Sequence, residues 1–155
     1  MAQNIQNKHG LGIEFFGKSD IYAIHYTYNL NNQINHFRVG IGYQPGTFEI
    51  FSPNDRSFFY IPIEFNKSFF EPKHRLNISI SCLHKITLYH PYYFQINSNP
   101  RIGAGYMLNI KNNFVFRADL NLNLPLYLAM NREETYIFTT NRFFIWPGIL
   151  VTKCF

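Results

Sequence analysis

His36-Phe37-Arg38-Val39-Gly40-Ile41-Gly42-Tyr43 places an apolar side chain at every second position and a polar side chain or a glycine between. Successive side chains of an extended strand point to opposite faces. The stretch therefore sorts Phe37, Val39, Ile41 and Tyr43 onto one face and His36, Arg38, Gly40 and Gly42 onto the other. A helix would spread both sets around its axis.

The same period recurs on either side. Tyr22, Ile24, Tyr26 and Tyr28 oppose Ala23, His25 and Thr27, and Phe59, Ile61, Ile63 and Phe65 oppose Tyr60, Pro62 and Glu64. Further on, Ile102, Ala104, Tyr106, Leu108 and Ile110 oppose Arg101, Gly103, Gly105 and Asn109. Phe114, Phe116, Ala118, Leu120 and Leu122 oppose Arg117, Asp119, Asn121 and Asn123. Turn residues bound eight such segments, at 11–17, 20–29, 34–43, 57–66, 75–89, 101–110, 114–124 and 143–155. The pattern predicts an all-β chain of eight antiparallel strands forming one up-and-down barrel domain over residues 1–155, with no linker to divide it.

The apolar face predicts where that barrel sits. Aromatic residues make up 19% of the chain and charged residues only 15%, against about a quarter charged in ordinary soluble domains. In a soluble ligand-binding barrel of the lipocalin kind, the apolar face points inward and Lys and Glu crowd the outside. Eight strands enclose too little space for the many Phe, Tyr, Ile and Leu side chains of this apolar face, whereas lipid takes them without limit of volume. The expected arrangement is inverted: oily outside, polar within. No apolar run reaches the roughly 18 residues of a membrane-spanning helix, so a helical membrane protein is excluded.

Link lengths agree. The links 29–33, 66–74 and 111–113 read as short, while 44–56, 90–100 and 125–142 read as long and 17–19 as a brief exception. Membrane barrels pair short periplasmic turns with longer outer loops, and both chain ends lie on the periplasmic side. Tyr28, Phe37, Phe65, Phe114 and Phe155 then mark an inner aromatic girdle, and Tyr22, Tyr43, Phe59 and Tyr127 an outer one. The first residues carry no basic and apolar leader, so the chain reads as a mature form whose signal peptide has been removed, destined for a bacterial outer membrane.

The last segment, Trp146-Pro147-Gly148-Ile149-Leu150-Val151-Thr152-Lys153-Cys154-Phe155, resembles the C-terminal insertion signal of outer-membrane barrels. Ile149, Val151 and Phe155 match its alternation and terminal aromatic; Lys153 stands where an apolar residue is usual. Across nearly the whole chain the pattern resembles the small OmpA-like or porin-like barrels of Gram-negative bacteria, in the style of those from bacteroidetes, as in Ile61-Pro62-Ile63-Glu64-Phe65 and Pro100-Arg101-Ile102-Gly103-Ala104-Gly105-Tyr106. The resemblance implies outer-membrane lipid as surroundings and the barrel assembly machinery as a partner during insertion. It implies no particular activity.

Glu14, Arg38, Glu64, Arg75, Lys85, Arg101, Arg117 and Asp119 fall on the inward face, where unpaired charge is costly, so a paired network filling the lumen is expected. Glu64 and Arg75 flank the turn between the fourth and fifth strands and are expected to pair across it, with Arg38 on the other side of Glu64. Gly40, Gly42, Gly103 and Gly105 make room for these long side chains. Pro62 and Pro147 lie within strands and predict bulges.

No catalytic residue stands out, and no cofactor or metal is expected. The six histidines lack the close spacing of zinc ligands, no phosphate-binding glycine motif is present, and His84 with Ser81 or Ser98 is the nearest approach to a nucleophile–base pair. Cys82 and Cys154 fall on strands that are not neighbours and read as free thiols. A net charge of +5 raises nucleic acid as a partner, but Lys and Arg are scattered singly and form no basic patch, so none is expected. Tyr92, Tyr93, Phe94, Tyr136, Ile137 and Phe138 fall in the long outer links, where aromatic clusters mark contact surfaces for another protein. The expected function is that of a non-enzymatic barrel, structural or a small subunit of a larger envelope complex. The alternatives are a lipid-modifying enzyme and a soluble ligand-binding barrel.

Overall fold

The computed structural model describes residues 8–16, 22–30, 34–44, 56–70, 73–89, 93–124, 126–130, 135–139 and 145–155. Ten strands follow in chain order: β1 His9–Phe15, β2 Tyr22–Leu30, β3 Asn35–Gln44, β4 Arg56–Phe69, β5 His74–Tyr89, β6 Tyr93–Ile110, β7 Phe114–Asn123, β8 Leu126–Met130, β9 Thr135–Thr139 and β10 Ile145–Cys154. All pairings are antiparallel. β1 to β7 pair in sequence, β10 pairs with β7 and β1, and the ring closes at eight strands. The seam runs to the end of the chain, where Phe155 N donates to His9 O at 2.9 Å and His9 N to Phe155 O at 3.3 Å. The only helical element among the described residues is the 3-10 turn Lys111–Asn113, which folds β6 onto β7 through left-handed Asn112 and Asn113.

The alternation seen in the sequence becomes burial. Among the described residues, twenty-one buried side chains are polar or charged and six, proline aside, are apolar, while thirty-one large apolar side chains are exposed. The core of this molecule is hydrophilic and its coat is oily, the inverse of a protein folded against water. The glycines on the inward face leave space as expected. A Cβ on Gly40 would lie 2.4 Å from His25 Nδ1, and one on Gly105 would lie 1.9 Å from Asp119 Oδ1.

Two expectations about links are corrected. The link read at 90–100 is mostly strand: Tyr89 pairs with Tyr93, leaving only 90–92 between β5 and β6. The link read at 125–142 holds the β8–β9 hairpin, and β8 extends the wall by pairing with β6. The stretch Gln95-Ile96-Asn97-Ser98-Asn99-Pro100 is polar and carries a proline, so it reads as a loop, yet the partner strand β5 holds it extended. One wall of the barrel therefore stands taller than the rest.

The bulges expected at Pro62 and Pro147 are absent. Pro62 pairs in unbroken register with Leu83, and on its other side the β3–β4 ladder skips Gly40 and Ile41 before resuming in the same register. Pro147 pairs with Leu120 beyond the end of the β1–β10 pairing, where no second neighbour among the described residues needs its missing donor.

Candidate functional site

Inward positions of five strands converge on one chain of charges. His25 Nε2 on β2 lies 2.6 Å from Glu14 Oε2 on β1, and Arg38 Nη2 on β3 lies 3.7 Å from Glu14 Oε1. Arg38 also donates to Glu64 on β4, its cross-strand neighbour in register. Glu64 Oε1 is 2.8 Å from Arg117 Nη1 on β7, and Arg117 Nε donates to Asp119 Oδ1 at 2.7 Å. Signs alternate from Glu14 through Arg38, Glu64 and Arg117 to Asp119, so each charge meets an opposite one, the condition under which buried ions are tolerated. Asn77 on β5 accepts from Arg117 Nη2 at 2.9 Å through its amide oxygen and donates to Gly105 O at 3.0 Å.

The structure buries seven of the eight residues assigned to this network from the sequence and places Lys85 half-buried on the same inward face. Lys85 Nζ lies 4.2 Å from the Phe58 ring centroid, a cation over an aromatic face. The pairing expected between Glu64 and Arg75 is corrected. Register puts Glu64 opposite Ser81, because the β4–β5 turn lies at 70–73 and not at 66–74, which shifts Arg75 some six residues along its strand. Arg101 is inward and stands opposite Ser81 on β5 and Asn123 on β7. His25, His36 and Asn77 also face inward; their phase relative to the tyrosines and isoleucines of their strands was the signal for the two histidines and the serine-rich face of β5 the signal for Asn77.

Toward the end where the chain termini meet, the lumen keeps a cavity of about 30 Å³, lined in part by His36, Arg38, Arg75, Met107, Arg117 and Leu150. That is room for about two water molecules. His36 Nε2, buried and without a protein partner among the described residues, is the sort of group such water satisfies.

No group of three or more metal-ligating residues occurs among the described residues. Cys82 and Cys154 are free thiols on strands that do not pair. His84 Nδ1 and Ser98 Oγ are 2.8 Å apart on the outward face of β5 and β6, but His84 has no carboxylate partner among the described residues. Of the six aromatic and apolar residues placed in outer links, Tyr92 lies outside the described residues. Tyr93 and Phe94 belong to β6, and Tyr136, Ile137 and Phe138 belong to β9; they stand on strands, not in open loops. Phe94 is exposed, and the side chains of the other four lie outside the described set.

On the outward face Tyr28, Phe37 and Phe65 sit side by side in register, and Tyr43 stands beside Phe59. About 20 Å of strand separates Tyr22 from Tyr28 at about 3.3 Å per residue. Tyr127 lies on β8, its side chain outside the described set.

The fold and this interior define a closed, up-and-down, eight-stranded antiparallel barrel with a charged, side-chain-filled lumen. Comparison with protein-family models, curated proteins and solved structures found no match.

Proposed function

We propose that the chain is a non-enzymatic β-barrel of a bacterial outer membrane, serving as a structural element or small subunit of an envelope complex. One observation carries this reading: along the strands the buried side chains are polar and the exposed ones apolar. An apolar coat on this scale on a monomer in water would drive association, because soluble monomers rarely expose patches larger than a few hundred Å². Lipid solvates it, and strands of nine or ten residues such as β2, β3, β7 and β10 suit a tilted crossing of the hydrocarbon layer. The polar lining gives a soluble ligand-binding barrel no apolar interior to offer.

Ile149, Val151 and Phe155 stand on the outer face of β10 and its terminus, where assembly machinery reads such an alternation. The taller wall carries Tyr93, Phe94, Tyr136, Ile137 and Phe138, and these, with Tyr92 from the preceding link, form the contact for a partner in the envelope. The test compares boiled and unboiled protein on a detergent gel alongside membrane fractionation. A heat-dependent mobility shift with outer-membrane recovery supports the reading, whereas soluble protein that migrates identically with and without heating overturns it. Alanine at all six residues releases a copurifying partner if the contact is theirs.

A second reading, lipid modification at the outer face, is favoured by the 2.8 Å contact of His84 with Ser98. It requires lipid turnover by the detergent-extracted barrel that is lost in His84→Ala.

A further inference from the structure

Lys153 breaks the apolar alternation of the terminal strand, and the fold supplies a reason. Among the described residues, histidine aside, every exposed acidic or basic side chain is a lysine, and all five stand at one rim: Lys8, Lys67, Lys73, Lys111 and Lys153. Lys8 precedes β1, Lys67 closes β4, Lys73 precedes β5, Lys111 lies in the β6–β7 turn and Lys153 closes β10. The lysines that read as scattered in the sequence are gathered by the ring into a collar. The described carboxylates, Glu14, Glu64 and Asp119, are all inside the lumen, so no described side-chain carboxylate stands at this rim. By sequence only Glu71 falls in a link on this side, while Asp20, Glu49, Asp55, Glu133 and Glu134 fall in links of the opposite side, among four basic residues.

The collar sits on an aromatic base. Lys153 Nζ lies 4.5 Å from the Phe114 ring centroid and donates to Asn112 O, and Lys67 Nζ lies 5.6 Å from the Phe69 centroid. His9 Nδ1 meets Tyr26 Oη at 2.5 Å, and His74 bonds to Tyr106. Rings of this kind settle at the level of lipid headgroups, with lysine stems along the apolar surface and the ammonium groups reaching outward. Zwitterionic headgroups suffice for the rings. Five cations against the single link carboxylate Glu71 leave a net positive rim, which calls for an anionic surface.

We propose that this rim is a binding collar for the headgroups of anionic phospholipids in the leaflet that surrounds the chain termini. The inference rests on the membrane-barrel reading. It also fixes orientation, since the charge asymmetry opposes insertion with the collar toward a neutral surface.

The test uses the full chain in phosphatidylcholine vesicles and in equimolar phosphatidylcholine and phosphatidylglycerol vesicles, with spin-labelled forms of each lipid reporting immobilisation at the protein. A several-fold preference for phosphatidylglycerol that declines as salt rises is expected, because a charged surface is screened. Replacing the five lysines with glutamine abolishes the preference, and replacing them with arginine keeps it, in barrels whose heat-dependent gel shift shows them folded. Equal immobilisation of both lipids by the wild-type barrel overturns the collar, as does an unchanged preference in the glutamine variant. Competition by inorganic phosphate at low concentration overturns the lipid as the occupant and identifies a phosphate site. Should the glutamine variant not fold, the wild-type salt dependence decides alone. Absence of any immobilised lipid together with no heat-dependent shift is a failure of the membrane reading itself, and so is distinct from failure of the collar.

Discussion

Arg117 on β7 and Glu64 on β4 are 2.8 Å apart across the lumen, joining two strands that share no backbone pairing. The pair is a strut across the lumen, and it belongs to the alternating path from Glu14 to Asp119. Filling and bracing by charge replace the apolar core that the molecule lacks.

Glu64→Ala leaves Arg38 and Arg117 facing each other's charge without their shared carboxylate. Removing one member of a buried ion pair costs about 3–5 kcal/mol, and urea unfolding of the barrel in vesicles is expected to show a loss of that order. Arg117→Leu combined with Glu64→Met is expected to cost less than the sum of the two single changes. A double-mutant cycle measures the coupling; strict additivity would mean that the strut carries no energy.

Gly105→Ala forces a methyl group to within 1.9 Å of Asp119 Oδ1 and 2.5 Å of Ala118 O. The displaced carboxylate loses its place against Arg117, and destabilisation of about 1–3 kcal/mol is expected. Ala104→Val, one residue away on the outward face, is expected to stay within about 0.5 kcal/mol. Equal effects at the two positions would contradict the inward packing of this strand.

Ile80→Arg separates the membrane reading from its soluble rival. Ile80 is 66% exposed and stands between Phe65 and Ile102 on the outward face. A soluble barrel would tolerate arginine there within about 0.5 kcal/mol, while in a bilayer the cost near the midplane is about 2–4 kcal/mol. Phe70→Arg, at the rim and 79% exposed, is expected to cost at most about 1 kcal/mol. Unfolding in vesicles measures both, and a flat response along this axis would remove the lipid from the picture.

Cys154 points into the lumen and is buried, whereas Cys82 is partly exposed on the outer face. In vesicles a water-soluble maleimide is expected to spare Cys154 until the barrel is unfolded, after which two thiols titrate. Rapid labelling of Cys154 in the folded state would show an open lumen at the seam.

The alternation around Val39 made the two faces of the strands legible, because side-chain period is a local property of extended backbone and survives in one dimension. It also placed Glu14, Arg38, Glu64, Arg117 and Asp119 on a common inward surface, and it anticipated the space left by Gly40 and Gly105. Local pattern failed where partners override composition: Gln95 to Pro100 reads as a loop and is held as strand by β5, and Pro62 sits in a ladder without the bulge it suggested.

By itself, the sequence determined that the chain forms one all-β unit of alternating strands with polar and apolar faces segregated. Tertiary structure alone decided that Glu64 reaches Arg117 and not Arg75, and that five dispersed lysines form one rim. Both depend on register and ring closure, which join residues far apart along the chain through shifts of whole strands, and no short stretch of sequence encodes such a shift.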